Sequence, residues 1–143
     1  MMKKSALFAL GIFSIAACAD PAPSDSPGLV HASFAGKNVS LINDNGRCAL
    51  SLSAAQSIAL DMIWPCRFSE DRQKNVRVES YRQAQVLMVE RSEHLPPPSK
   101  DCATDLQAIR YFKGRVEVAP VSQIAACGPG YWDQKALIWD FDW

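Results

Sequence analysis

The stretch Val39-Ser40-Leu41-Ile42-Asn43-Asp44-Asn45-Gly46-Arg47-Cys48-Ala49-Leu50-Ser51-Leu52 sets the fold class. Apolar residues recur on both sides of an Asn-Gly pair, and Asn and Gly tolerate the positive φ angles that a two-residue hairpin turn demands. The pattern predicts two antiparallel strands, residues 39–42 and 48–52, joined by a tight turn.

Period-two patterning continues outward from that hairpin. Ile58, Leu60, Met62 and Trp64 share one face of a strand that Pro65 ends. Val76 and Val78 mark a short strand, and Val86-Leu87-Met88-Val89 is apolar without interruption, as in a strand buried on both faces. After His94, Pro96-Pro97-Pro98 forms a stiff surface loop. Residues 106–112 and 115–118 flank Lys113-Gly114, a second tight turn. Leu137, Trp139, Phe141 and Trp143 alternate with Ala136, Ile138, Asp140 and Asp142, which predicts a half-buried terminal strand. One short helix is expected over residues 120–127, with Pro120 in its first turn and Gly128 behind its end. The expected fold is mainly β: a small antiparallel sheet protein, a sandwich or partial barrel, with that one helix. An α+β alternative rests on Ser53 and Gln56, which fit a capping box for a helix over residues 53–60.

The N-terminus carries an address. Lys3 and Lys4 precede an apolar run over residues 6–17. That run is about a dozen residues, whereas a spanning helix needs about 20. A basic start, a short apolar core and small residues at its end make a secretory signal. Its last residues, Ile15-Ala16-Ala17-Cys18, resemble the lipobox of bacterial lipoprotein precursors. The resemblance implies cleavage between Ala17 and Cys18, a diacylglyceryl thioether on the Cys18 sulfur and acylation of the freed amine. Each buried methylene contributes about 0.8 kcal/mol, so several chains on one residue make a lasting membrane anchor. In that family an Asp directly after the cysteine marks inner-membrane retention. Here Ala19 stands there and Asp20 follows, so the outer membrane, facing the periplasm, is expected.

Residues 18–36 hold three prolines, Pro21, Pro23 and Pro27, among small polar residues and read as a lipidated, flexible tether. Its random-coil reach is about 25 Å. Residues 37–143 are long enough for a single disulfide-bonded globular domain and too short for two.

The chain has five cysteines. Lipidation of Cys18 leaves Cys48, Cys66, Cys102 and Cys127, an even number suited to an oxidising compartment. They allow three pairings; Cys48–Cys66 with Cys102–Cys127 is preferred, because each bond then closes a short loop within one half of the chain. Each such bond stabilises by about 3 kcal/mol on the loop-entropy account.

Charge excludes one class of partner. Fifteen basic residues balance fifteen acidic ones, and removal of Lys3 and Lys4 with the signal leaves a net charge of −2. The remaining basic residues are scattered among acids, so the clustered footprint of a nucleic-acid binder is missing.

Catalytic patterns are weak. The two histidines are His31, in the tether, and His94, beside the proline loop; neither has the packed setting that a Ser–His–Asp site requires. No metal or cofactor is expected, since disulfides account for the cysteines. Asp101, Asp105 and Asp133 are candidate acids by residue type alone. Cys127-Gly128-Pro129-Gly130 resembles the thioredoxin redox motif, but Gly130 replaces the cysteine that resolves the mixed disulfide.

Of the four tryptophans, Trp64 and Trp139 read as core. Tyr131 and Trp132 follow Gly130 in a turn, where aromatics serve as anchors for a partner. The expected function is a membrane-anchored, non-catalytic periplasmic binding module for a protein or envelope component, of the inhibitor or immunity type. The alternative is a structural subunit of a cell-envelope assembly.

Overall fold

Ten strands and one helix make up residues 28–143, the part of the chain that the computed structural model describes. The signal segment, the Ala17–Cys18 cleavage site and the first part of the tether lie outside the described residues. In order come β1 (His31–Phe34), β2 (Lys37–Asp44), β3 (Arg47–Ser53), β4 (Gln56–Ile63), β5 (Arg67–Phe68) and β6 (Val78–Tyr81). Then follow β7 (Ala84–His94), β8 (Cys102–Phe112), β9 (Arg115–Val118), β10 (Ser122–Ile124) and α1 (Gln134–Ile138). The mainly β class is correct.

Strands β1 to β4 form one antiparallel sheet in sequence order. The Asn45-Gly46 turn joins β2 to β3 as expected: φ is 51° and 85°, and Asn43 Oδ1 accepts the Gly46 N–H at 2.7 Å. The second sheet runs β10-β8-β7-β5, with β6 also paired to β7 and β9 to β8. At its centre β7 and β8 pair over ten residues, from Gln85↔Tyr111 to His94↔Cys102.

Alternation decides what each face of this central hairpin meets. Leu87 and Val89 of β7 and Ile109 of β8 point at the first sheet, where Phe34, Leu41, Leu50, Leu60 and Met62 complete one core. Val86, Met88, Leu106 and Ala108 point the other way, against Leu137 and Phe141 of the C-terminal segment. The two sheets are stitched along their sides as well. Leu41 N–H donates to Val30 O and Phe68 N–H to Leu29 O, so residues 29–30 bond one sheet and then the other. Gln107 on β8 accepts the Asp61 N–H of β4 at 2.8 Å.

Four expectations are corrected. The helix lies at Gln134–Ile138, not over residues 120–127, where β10 pairs with Thr104, Asp105 and Leu106 of β8. Strands β9 and β10 line the same edge of β8. Pro120, which has no N–H to give a ladder, marks the break between them. The strand expected over residues 137–143 is absent; Asp133 instead caps α1 by accepting the Ala136 N–H at 2.9 Å. Leu137 and Phe141, four apart, are both buried, while Trp139 is 80 % exposed. Finally, β1 lies inside the stretch read as tether, and its Phe34 is among the largest buried side chains. The capping-box helix over residues 53–60 does not form, because β4 begins at Gln56. Among the described residues no helix is long and apolar enough to cross a membrane.

Leu87→Ala, in the core between the sheets, is expected to cost about 2–5 kcal/mol in urea unfolding. Ile63→Ala, at a position 54 % exposed, should change stability by only about 0.5 kcal/mol. Equal effects would contradict the burial of Leu87 between the two sheets.

Candidate functional site

The outward face of the β7–β8 hairpin is apolar at one end and polar at the other. Residues 86, 88, 90, 92 and 94 share that face by the two-residue period of a strand. Their β8 partners are Arg110, Ala108, Leu106, Thr104 and Cys102. The C-terminal segment from Cys127 to Trp143 crosses these rungs as a strap and meets each one differently.

At the apolar end the Arg110 guanidinium lies 4.6 Å from the Phe141 ring centre and 4.7 Å from that of Trp143. It also donates to Asp142 O at 2.7 Å and to Glu117 Oε2 at 2.6 Å. A buried cation so stacked and bonded holds the end of the chain.

At the polar end the key group is Glu90, 1 % exposed. Its Oε2 accepts from Ser69 Oγ at 2.8 Å and from the Trp132 indole N–H at 2.6 Å. Among the described residues Oε1 has no hydrogen-bond partner; the nearest cation is Arg67, whose Nε stands 3.7 Å away. The β5–β7 register sets Arg67 directly opposite Glu90. The same guanidinium bonds Glu70 Oε2 at 2.6 Å through Nη2, so one cation serves two carboxylates. Burying such groups is costly unless they are paired, so this cluster demands a close fit around it.

One rung further, Ser92 Oγ bonds Thr104 Oγ1 at 2.6 Å and accepts the Gly128 N–H at 2.8 Å. A Cβ at Gly128 would collide with Ser92 Oγ, so only glycine lets the strap approach this closely. Thr104 Oγ1 donates to Ala126 O, and the Cys102–Cys127 disulfide ties the strap to the last rung.

Two clefts flank this polar end. One, of about 470 Å³, lies between Glu70, Arg72 and Arg77 on one side and Tyr131, Trp132 and Asp133 on the other. The second, about 240 Å³, is lined by Arg67, Glu90, Ser92 and Gly128, with Pro65 and Pro129 as stiff walls. Both disulfides brace the second cleft: Cys66, bonded to Cys48, lines it, and Cys127 directly precedes Gly128. Such a preformed arrangement can bind a ligand or partner with little ordering cost.

Cys48–Cys66 and Cys102–Cys127 pair as preferred from the sequence. Tyr131 is 58 % exposed and borders the larger cleft. Trp132 is half-buried with its indole N–H spent on Glu90, so it holds the strap and is not a free anchor. Trp139, expected in the core, is the most exposed large apolar residue described. His31 lies exposed on edge strand β1, and exposed His94 sits beside Cys102. The three candidate acids are used locally: Asp133 caps α1, Asp105 accepts from Gln123 Nε2 at 2.9 Å, and Asp101 accepts from Ser99 Oγ at 3.4 Å. Sequence reasoning missed Glu90, Arg67 and Glu70. The available signal was a glutamate that directly continues a run buried on both faces.

Comparison with protein-family models, with curated proteins and with solved structures returns no match for this chain.

Trp132→Phe removes a hydrogen bond to a buried carboxylate and is expected to cost about 1.5–3 kcal/mol in urea unfolding. Tyr131→Ala should cost about 0.5 kcal/mol or less. The reverse order would show that Trp132 does not pin the strap.

Proposed function

We propose that the chain is a lipid-anchored, periplasm-facing binding module of the bacterial envelope that captures a protein partner without catalysis, as inhibitors and immunity proteins do. The observation that carries this reading is the display of aromatic rings on a braced segment. The strap buries Leu137 and Phe141, yet turns Trp139 outward at 80 % exposure and Tyr131 at 58 %. Large apolar residues left in water on an immobile element lose little entropy on docking and make strong anchors. Trp139 borders a shallow hollow with Asp133, Lys135 and Ala136, and Asp140 follows it in the chain, so the partner surface that fits is an apolar pocket with charged groups of both signs at its rim. The lipobox resemblance at Cys18 supports the envelope address.

A structural-subunit role is the second reading. It draws support from β4, the last strand of its sheet among the described residues, which leaves Ile63 54 % exposed. Strand addition at such an edge is a common mode of assembly.

Full-length protein with an affinity tag, incubated with envelope and secreted fractions, tests the first reading. One partner in roughly equimolar amount is expected. Trp139→Ala should weaken its capture about tenfold or more while leaving the melting temperature in place. Capture that is indifferent to Trp139, or recovery of a multi-subunit complex that depends on the β4 edge, would favour the structural role.

A further inference from the structure

We infer that reduction of the Cys102–Cys127 disulfide converts the polar end of the hairpin into a site for a soft or borderline divalent cation such as zinc. Its ligands are the thiolates of Cys102 and Cys127 and the Nδ1 of His94. This goes beyond the binding reading and stands whether or not the strap captures a partner.

The geometry is set by the ladder. His94 and Cys102 are the last directly opposed pair of β7 and β8, which places the imidazole against the sulfur from the neighbouring strand. His94 Nδ1 is 3.4 Å from Cys102 Sγ. All three potential ligand atoms lie within 4.8 Å of one another. Tetrahedral zinc, with Zn–S of about 2.3 Å and Zn–N of about 2.0–2.1 Å, holds its ligand atoms about 3.5–3.8 Å apart. His94 Nδ1 stands close to that separation from Cys102 Sγ. The Cys127 sulfur, now bonded to Cys102, has to move to its own corner of the tetrahedron, and the strap that carries it is the exposed side of the pair. Two thiolates and an imidazole leave one coordination position for water.

The two disulfides differ in access. Cys48 and Cys66 are 0 % and 4 % exposed, and Cys102 is 2 % exposed, whereas Cys127 is open to solvent. An attacking dithiol therefore reaches the Cys127 sulfur first. Its thiolate forms a mixed disulfide there, and the electron pair of the broken S–S bond leaves on Cys102, beside the His94 ring. The second thiol of the dithiol then displaces the Cys127 thiolate. The reductant ends as a disulfide, having passed two electrons and two protons to the protein. Metal binding to the two thiols releases those two protons.

Cobalt(II) is the probe, because thiolate ligation gives it intense near-ultraviolet charge-transfer absorption. The full chain is used with Cys18→Ser, so that no other free thiol contributes. It is reduced by limiting dithiothreitol, the reagent is removed without air, and alkylation mapping identifies the opened bond. Cys102–Cys127 is expected to open first, and the reduced chain to bind one equivalent of cobalt with thiolate absorption that zinc abolishes. The oxidised chain should show none. His94→Ala should weaken binding about tenfold or more, and Cys102→Ser with Cys127→Ser should eliminate it. Prior opening of Cys48–Cys66, unfolding on reduction, no absorption in the reduced chain, or identical titrations of His94→Ala and its parent would each overturn the site.

Discussion

A pair of adjacent strands that are apolar on both faces cannot stand at the surface of a sheet. That constraint, imposed by β7 and β8, organises everything else in the molecule. Leu87, Val89 and Ile109 require a layer on one side, while Val86, Met88, Leu106 and Ala108 require one on the other. The four-stranded sheet supplies the first cover. An irregular strap with one short helix supplies the second. Burial of apolar area drives both contacts, but the strap has no ladder to register it. Its register comes from discrete anchors: the Arg110 cage, the Trp132–Glu90 bond, the Gly128–Ser92 contact and the Cys102–Cys127 bond.

Those anchors explain why the candidate site lies where it does. The apolar rungs fill with Leu137 and Phe141, whereas at the polar rungs the strap cannot close by packing alone and clefts remain on either side of Glu90. The same anchoring fixes which strap residues face outward. Trp139 is displayed because the helical turn that buries Leu137 and Phe141 leaves it no inward position. Display and bracing thus have one origin, and it is this combination that supports a binding role.

The hairpin around Asn45-Gly46, the two-faced run over residues 86–89, the Lys113-Gly114 turn and the local disulfide pairing were legible from residue type and spacing. Elsewhere two rules competed. Leu137 and Phe141 satisfy both a two-residue and a four-residue period; only Trp139 separates them, and the Asp133 cap decided for the helix. Pro120 can begin a helix or interrupt an edge strand, and the unpaired edge of β8 decided for the strand. The apolar residues 29–34 looked like tether because prolines precede them, yet they stitch the two sheets together. Of the Glu90 cluster only the place of Glu90 at the end of the two-faced run was legible, and its partners were not. Their meeting depends on Arg67, Ser69 and Trp132 arriving from elements far apart in the chain, which no local pattern encodes.

Native-state amide hydrogen exchange across a denaturant series tests the central constraint most directly. If the two-faced hairpin is the organising element, amides of Leu87, Met88, Val89, Ala108 and Ile109 exchange only through global unfolding. Those of edge strands β1 and β10 open locally at lower free energy. The strap amides should fall between these groups and join the edge class in Trp132→Phe. Hairpin amides exchanging as readily as those of β1, or a strap unaffected by loss of the indole bond, would contradict the account.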